Sequence, residues 1–276
     1  MKVILVAHDK APSTAFEMLF ETCTKKGIQV TTYLDHGKAK EKNFTSVPAN
    51  IQKHADIVLL GMSSSKELAY QEILAASLAQ EAGIPFGFYA DTFGCVRREW
   101  FSAFRNKTNF VFTINDREKK IAVELFPNAH VAVSGNPEWE DFCFPKYTLK
   151  EVRERFRVAD DEIMVLSPGH KSPVITAFLW GSVIEALSQS GMNHKKLRVF
   201  FSPHPGDPHA PAVYGDFMNY CSLLVSVVPE NSMSTVDMIP GCDIFINSAS
   251  TTGIAAHFQR KPVIDYFGEI ALTRNE

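Results

Sequence analysis

The sequence predicts an α/β protein of two domains, each a mainly parallel sheet with helices packed against it. Three observations predict this. Short apolar runs alternate with amphipathic stretches of helical length along most of the chain, the pattern of strand–helix–strand units. The alternation pauses once, across "NPEWEDFCFPKYTLKEVRERF" at 136–156, and then restarts. A chain of 276 residues, 45% hydrophobic and 21% charged, has enough apolar material for one large or two smaller cores.

Taken in order, "VILVA" (3–7) predicts a buried first strand, followed by a helix that Ser13 caps and Gly27 ends. "IQVTTYL" (28–34) is the second strand, and the polar stretch 35–46 reads as a loop. "DIVLLG" (56–61) predicts the third strand, 66–82 a long helix, and "IPFGFYA" (84–90) the fourth strand. A helix over 97–105, the strand "NFVFTI" (109–114), a helix over 116–125 and the strand "HVAVSG" (130–135) complete the first half. Within the interruption, Thr148 and Glu151 have the spacing of a capping box, opening a helix to about Phe156.

The second half begins with "EIMVLSPG" (162–169), a helix over 174–190 and "LRVFFSP" (197–203). A helix over 211–221, "SLLVSVV" (222–228), a short helix over 234–239 and "DIFINS" (243–248) come next. A helix over 253–259 and "PVIDYF" (262–267) close the pattern. The pause sets the expected domains at 1–150 and 151–276.

Composition narrows the function. A net charge of −3 and a pI near 6.3 argue against a nucleic-acid or anionic-membrane surface. Cys23, Cys95, Cys143, Cys221 and Cys242 are scattered with no Cys-x-x-Cys pair. They signal neither zinc nor a disulfide framework, and free thiols in a reducing compartment are expected. "VILVA" is too short for a signal peptide and no run reaches the length of a membrane span, so the expected location is cytoplasmic. No metal cluster or cofactor motif stands out, and the sequence leaves a homo-oligomer open.

In open parallel sheets ligands bind beyond the carboxyl ends of the strands. The loops there are "AHDKAPST" (7–14), "GMSSSKE" (61–67), "ADTFG" (90–94), "SGNPEWED" (134–141), "SPGHKSP" (167–173), "SPHPGDP" (202–208) and "NSASTTG" (247–253). They gather His8, Lys10, His170, Lys171, His204 and His209. Each histidine alone is more simply a loop or structural residue. Six basic side chains on one edge point to a cleft for an anionic, phosphate-bearing ligand. Gly169 would let a backbone approach that ligand closely. Ser248, Ser250, Thr251 and Thr252 open the helix after "DIFINS". They serve as a helix cap, as a phosphate site, or as both.

"VSGNPEWED", "VLSPGHKS", "VFFSPHPGDP", "INSASTTGIAAHFQRKPVIDYF" and "LTRNE" resemble, in order, five segments of the non-hydrolysing UDP-N-acetylglucosamine 2-epimerases. "AHDKAPSTAF" is similar to their first loop more weakly. The resemblance implies a GT-B-like pair of Rossmann-like domains, an architecture shared with nucleotide-sugar glycosyltransferases, and a nucleotide-sugar ligand. It implies that Lys10, Gly169, His170, Lys171, Ser248, Ser250, Thr251 and Thr252 hold the diphosphate. His204 and Asp91 are then the candidates for proton transfer.

Two departures limit the resemblance. The family's ribose-holding acid falls in a region that here reads Gly253, Ile254, Ala255, Ala256, and its His-Gly-Asp pattern is replaced by Gly61, Met62, Ser63. Standard 2-epimerase chemistry is therefore not expected. The sequence ends at Glu276, soon after "PVIDYF", so the second domain is expected to be short or incomplete. Two functions fit: a nucleotide-sugar enzyme, glycosyltransferase or atypical epimerase, and a non-catalytic binding or sensory protein that keeps the fold.

Overall fold

A computed structural model describes residues 1–36, 47, 51–170, 172–191, 196–204, 207, 224–229, 232–248 and 250–266. The chain divides into two compact units, Met1–Glu138 and Trp139–Glu276. The first holds six strands: β1 (Lys2–Ala7), β2 (Gln29–Leu34), β3 (Ile57–Leu60), β4 (Phe86–Ala90), β5 (Phe110–Thr113) and β6 (His130–Val133). All pair in parallel, in the order β2-β1-β3-β4-β5-β6. Parallel strands are covered on both faces, which explains their unbroken apolar runs. Ile4 and Val6 enter one core with Leu60 and Phe88, while Leu5 and Ala7 face Phe16 and Tyr89 on the other side.

Three helices pack on this sheet: α1 (Lys10–Lys25), α2 (Tyr70–Glu81) and α3 (Asp116–Leu125). The last matches its expected bounds, because Asn115 accepts a hydrogen bond from the Glu118 N–H and fixes the start. Three expectations need correction. Ser13 does not cap α1; it lies inside the helix, where its hydroxyl donates to the Ala7 carbonyl and accepts from the His36 N–H. The stretch 97–105 is not an α-helix but two short 3₁₀ segments, Cys95–Arg97 and Glu99–Phe104. α2 starts at Tyr70, with 66–69 in turns, rather than at 66.

The second unit opens with α4 (Leu149–Arg155), where the Thr148–Glu151 capping box is present. Its five strands are β7 (Ile163–Pro168), β8 (Leu197–Ser202), β9 (Leu224–Val227), β10 (Ile244–Asn247) and β11 (Val263–Asp265). They form a second parallel sheet in the order β11-β10-β7-β8-β9. Among the described residues three helices accompany it: α5 (Pro173–Gln189), α6 (Thr235–Met238) and α7 (Thr251–Phe258). α7 begins two residues before its expected start. Trp180 of α5 stacks on Phe201 of β8 with ring centroids 4.5 Å apart. The buried Arg153 of α4 bonds the Asp243 carboxylate at 3.0 Å and the Ala159 and Glu162 carbonyls at 2.6 Å. The helix expected over 211–221 lies outside the described residues. Among the described residues no helix is long and apolar enough to cross a membrane.

Candidate functional site

A parallel sheet opens a crevice at its carboxyl edge where neighbouring strands send their connections in opposite directions. In the first sheet the reversal lies between β1 and β3, in the second between β7 and β10. Both crevices coincide with loops singled out from the sequence, but their chemistry differs.

At the first crevice carboxyl groups take up the backbone donors. Glu72 of α2 is fully buried, and its Oε1 accepts from the His8 N–H at 3.2 Å and the Ser63 hydroxyl at 2.5 Å. The Asp9 N–H donates to Ser63 Oγ at 3.1 Å, and Asp9 Oδ2 accepts from the Ser64 N–H at 2.6 Å. Burial pushes the Glu72 carboxyl up to about 7, with the nearby Asp9 charge adding to the effect. The His8 ring is buried and Nδ1 lies 2.9 Å from Asp35 Oδ2, so it faces protein at this edge. Lys10 is exposed as the first residue of α1.

Asp91 follows β4 directly and is 4% exposed. Burial raises its carboxyl to about 6, against the opposing pull of the Arg98 charge and a hydrogen bond from Cys95. Asn136, from the loop after β6, donates to the Asp91 carbonyl at 2.9 Å. The first unit therefore holds two carboxyls, Glu72 and Asp91, that exchange protons near neutral pH. Sequence reasoning singled out Asp91 but not Glu72. The available signal was the pair Gln71 and Glu72 in the first turn of α2, directly ahead of its apolar run Ile73–Ala76.

At the second crevice the loop after β7 turns back on itself. The His170 N–H donates to Thr176 Oγ1 at 2.8 Å, and His170 Nδ1 accepts from the Ser172 N–H at 2.9 Å. With Nδ1 accepting, a neutral ring would carry its proton on Nε2. Gly169 has a different role from the one expected. A Cβ there would meet Thr176 Cγ2 at 3.2 Å and the His204 nitrogen at 3.3 Å, so protein fills the space. That packing holds the His170 and His204 loops together, at the ends of the paired strands β7 and β8. Lys171, and with it His209, lies outside the described residues.

Across the crevice, α7 is capped by Ser250, whose Oγ accepts from the Thr252 N–H at 3.4 Å and from the Thr252 hydroxyl at 3.0 Å. The Thr251 N–H makes no hydrogen bond among the described residues, Thr251 is exposed, and Ser248 is buried beside the turn. The small residues of α7 pack against protein: a Cβ on Gly253 would lie 2.4 Å from Asn247 Nδ2, and Ala255 and Ala256 are fully buried in the core.

No family model matches this chain, and no curated protein does. Solved structures do match. UDP-GlcNAc 2-epimerase from Neisseria meningitidis, bound to UDP-GlcNAc, aligns over 95% of this chain and 82% of its own, with a TM-score of 0.63 at 14% identity. The 2-epimerase of Methanocaldococcus jannaschii aligns over 96% and 83%, with a TM-score of 0.63 at 12% identity. MurG from Acinetobacter baumannii aligns over 100% and 89%, with a TM-score of 0.53 at 14% identity. The chain has a GT-B-like fold.

This is the fold the sequence resemblance implied. Within it, the departures from the epimerase pattern become physical. Met62 is fully buried in the first core, as Ala255 and Ala256 are in the second. In this GT-B-like chain those positions are packing residues.

Proposed function

We propose that the chain handles a nucleotide-linked sugar and holds its phosphate at the crevice between β7 and β10 of the second unit, with Asp91 of the first unit a candidate for proton transfer in its own right. The observation that carries this reading is the pairing of β7 with β10. It brings the His170 loop and the Ser250–Thr252 turn to one strand-end crevice from positions nearly eighty residues apart in sequence. A helix start offers backbone N–H donors and the positive end of a dipole, and the His170 ring adds a donor. Such fixed dipoles stabilise a departing diphosphate without reorganising during the reaction. Asp91, raised to about 6, is a proton donor below that pH and an acceptor above it. His204 is the second candidate for proton transfer. The nucleotide-sugar ligand in the Neisseria structure supports the ligand class.

A second reading, a binding or sensory protein without catalysis, is favoured by Met62, Ala255 and Ala256 standing where the related enzymes carry acids. Turnover of a nucleotide sugar, lost in Asp91→Asn with binding retained, separates the two. Binding itself is tested by thermal shift with nucleoside diphosphates, nucleotide sugars and pyrophosphate. A ligand at a hundred times its Kd stabilises by about 2.7 kcal/mol. The absence of stabilisation by every compound overturns the proposal.

A further inference from the structure

We propose that Asp265, at the end of β11, receives the ribose hydroxyls of a nucleotide whose phosphate lies on the Ser248–Thr252 turn. This rests on the phosphate reading above and adds the group that holds the nucleoside. The segment β10–α7–β11 is one strand–helix–strand unit, with β10 bordering the crevice and β11 on its outer side. In such units a phosphate sits at the helix start. An acid at the end of the second strand, about 20 residues further on, accepts from the ribose. Asn247 and Asp265 are register partners at the ends of β10 and β11, 18 residues apart. Adjacent strand ends are about 4.8 Å apart, a span that a phosphate and its sugar can bridge.

The carboxylate is placed for this task. Asp265 is exposed, and its Oδ1 accepts from Asn247 Nδ2 at 2.8 Å, which fixes the carboxylate plane. Oδ2 takes no hydrogen bond from the described residues. Two carboxylate oxygens accept from two neighbouring hydroxyls, which are the donors a ribose offers. The end of β11 is anchored on both sides. The Tyr266 N–H donates to the Asn247 carbonyl at 2.7 Å, and the Ser182 hydroxyl of α5 donates to the Tyr266 hydroxyl at 3.1 Å.

A second observation points to a missing ligand group. Asn247 is 4% exposed, and its Nδ2 also donates to the Ser250 carbonyl at 3.2 Å, directly under the turn. Its Oδ1 is buried and receives no hydrogen bond from the described residues. Buried acceptors in native proteins nearly always find a donor, so this one marks a position where a donor from outside the chain belongs. The helix cannot supply the hydroxyl-binding acid, because Ala255 and Ala256 point into the core. The next strand end can.

The test is calorimetry on the full chain with uridine, cytidine, adenosine and guanosine diphosphates, their 2′,3′-dideoxy counterparts, and inorganic pyrophosphate. The unaltered protein should bind the best ribonucleotide roughly 10- to 100-fold more tightly than its dideoxy counterpart, the range of a hydrogen bond to a charged group. Asp265→Ala should erase that ratio while leaving pyrophosphate and dideoxynucleotide binding unchanged. Asp265→Asn, which keeps an acceptor for Asn247, should reduce the ratio and controls for folding. Retention of the full ribose preference in Asp265→Ala overturns the assignment and leaves the phosphate reading standing. Failure of the unaltered protein to bind any of these compounds overturns both.

Discussion

The two strand-end crevices share a topology and differ in who satisfies their backbone donors. At β1 and β3 the N–H groups of His8, Asp9 and Ser64 are spent on Glu72, Ser63 and Asp9. At β7 and β10 the Thr252 N–H meets Ser250 Oγ at 3.4 Å and the Gly253 N–H donates to the Ser250 carbonyl at 3.1 Å, while the Thr251 N–H takes no partner among the described residues. The first crevice has in effect bound its own anions. The difference teaches that shared topology does not make a phosphate site. What matters is whether the donors at the edge are already used.

The comparison is broken most forcefully at Glu72. Its carboxyl titrates near 7 in the folded protein against an ordinary value near 4.5. Between those pH values the folded state holds a proton that the unfolded chain has lost. Stability therefore falls as pH rises from about 4.5 to about 7, and the loss persists above. The full effect is roughly 3 kcal/mol. Glu72→Gln keeps an acceptor for Ser63 and His8 and cannot ionise. It should stabilise the protein by up to about 3 kcal/mol at pH 8 and change little at pH 4, measured by urea denaturation at both values. Equal shifts at the two pH values would show that ionised Glu72 costs nothing. Asp91, raised to about 6 by the same cause, contributes to the slope that remains in the variant.

A smaller effect is expected at the second crevice. Gly253→Ala places a methyl group 2.4 Å from the Asn247 amide, which has its own hydrogen bonds and cannot retreat freely. Overpacking of this kind costs roughly 1–3 kcal/mol. Because Asn247 holds the Ser250 carbonyl, phosphate-ligand affinity should fall as well. An unchanged denaturation midpoint would mean that the turn shifts without resistance.

These residues also show what could be read in advance. The strand–helix alternation exposed every strand, because burial on both faces writes itself as apolar runs. α3 and α4 were legible because Asn115 and the Thr148–Glu151 box are local signals whose partners lie three residues away. Ser13 misled for the opposite reason, since its partners, Ala7 and His36, come from the ends of two strands. The 3₁₀ segments around Arg97 were hidden because their aromatics, Phe101 and Phe104, follow the packing of Phe86 and Phe88 rather than a helical period. As candidates, the hydroxyl-rich turn and Asp91 stand out by composition and position. Glu72 and Asp265 do not, because strand order decides which distant side chains meet at an edge. At Gly169 and Gly253 the space a side chain would need is filled by Thr176, His204 and Asn247, which composition alone does not reveal.

The smallest expected effect separates the two uses of the turn at Ser248–Thr252. Ser250 caps α7, and its removal should cost about 1 kcal/mol, as removal of the Asn115 cap should on α3. The Asn115 bond, at 2.9 Å, is the tighter of the two, so Asn115→Ala should cost at least as much as Ser250→Ala. Thr251 takes no part in the cap, and its exposed side chain can be cut to Ala with a stability change within about 0.5 kcal/mol. If the turn binds phosphate, Thr251→Ala should nevertheless weaken pyrophosphate binding several-fold in calorimetry, while Asn115→Ala leaves it unchanged. Ser250→Ala should do both, lowering stability and affinity together. Should Thr251→Ala leave affinity untouched and Ser250→Ala reduce stability alone, the hydroxyls of the turn serve α7 and no ligand. The donors of the second crevice would then be committed to the protein, as those of the first already are.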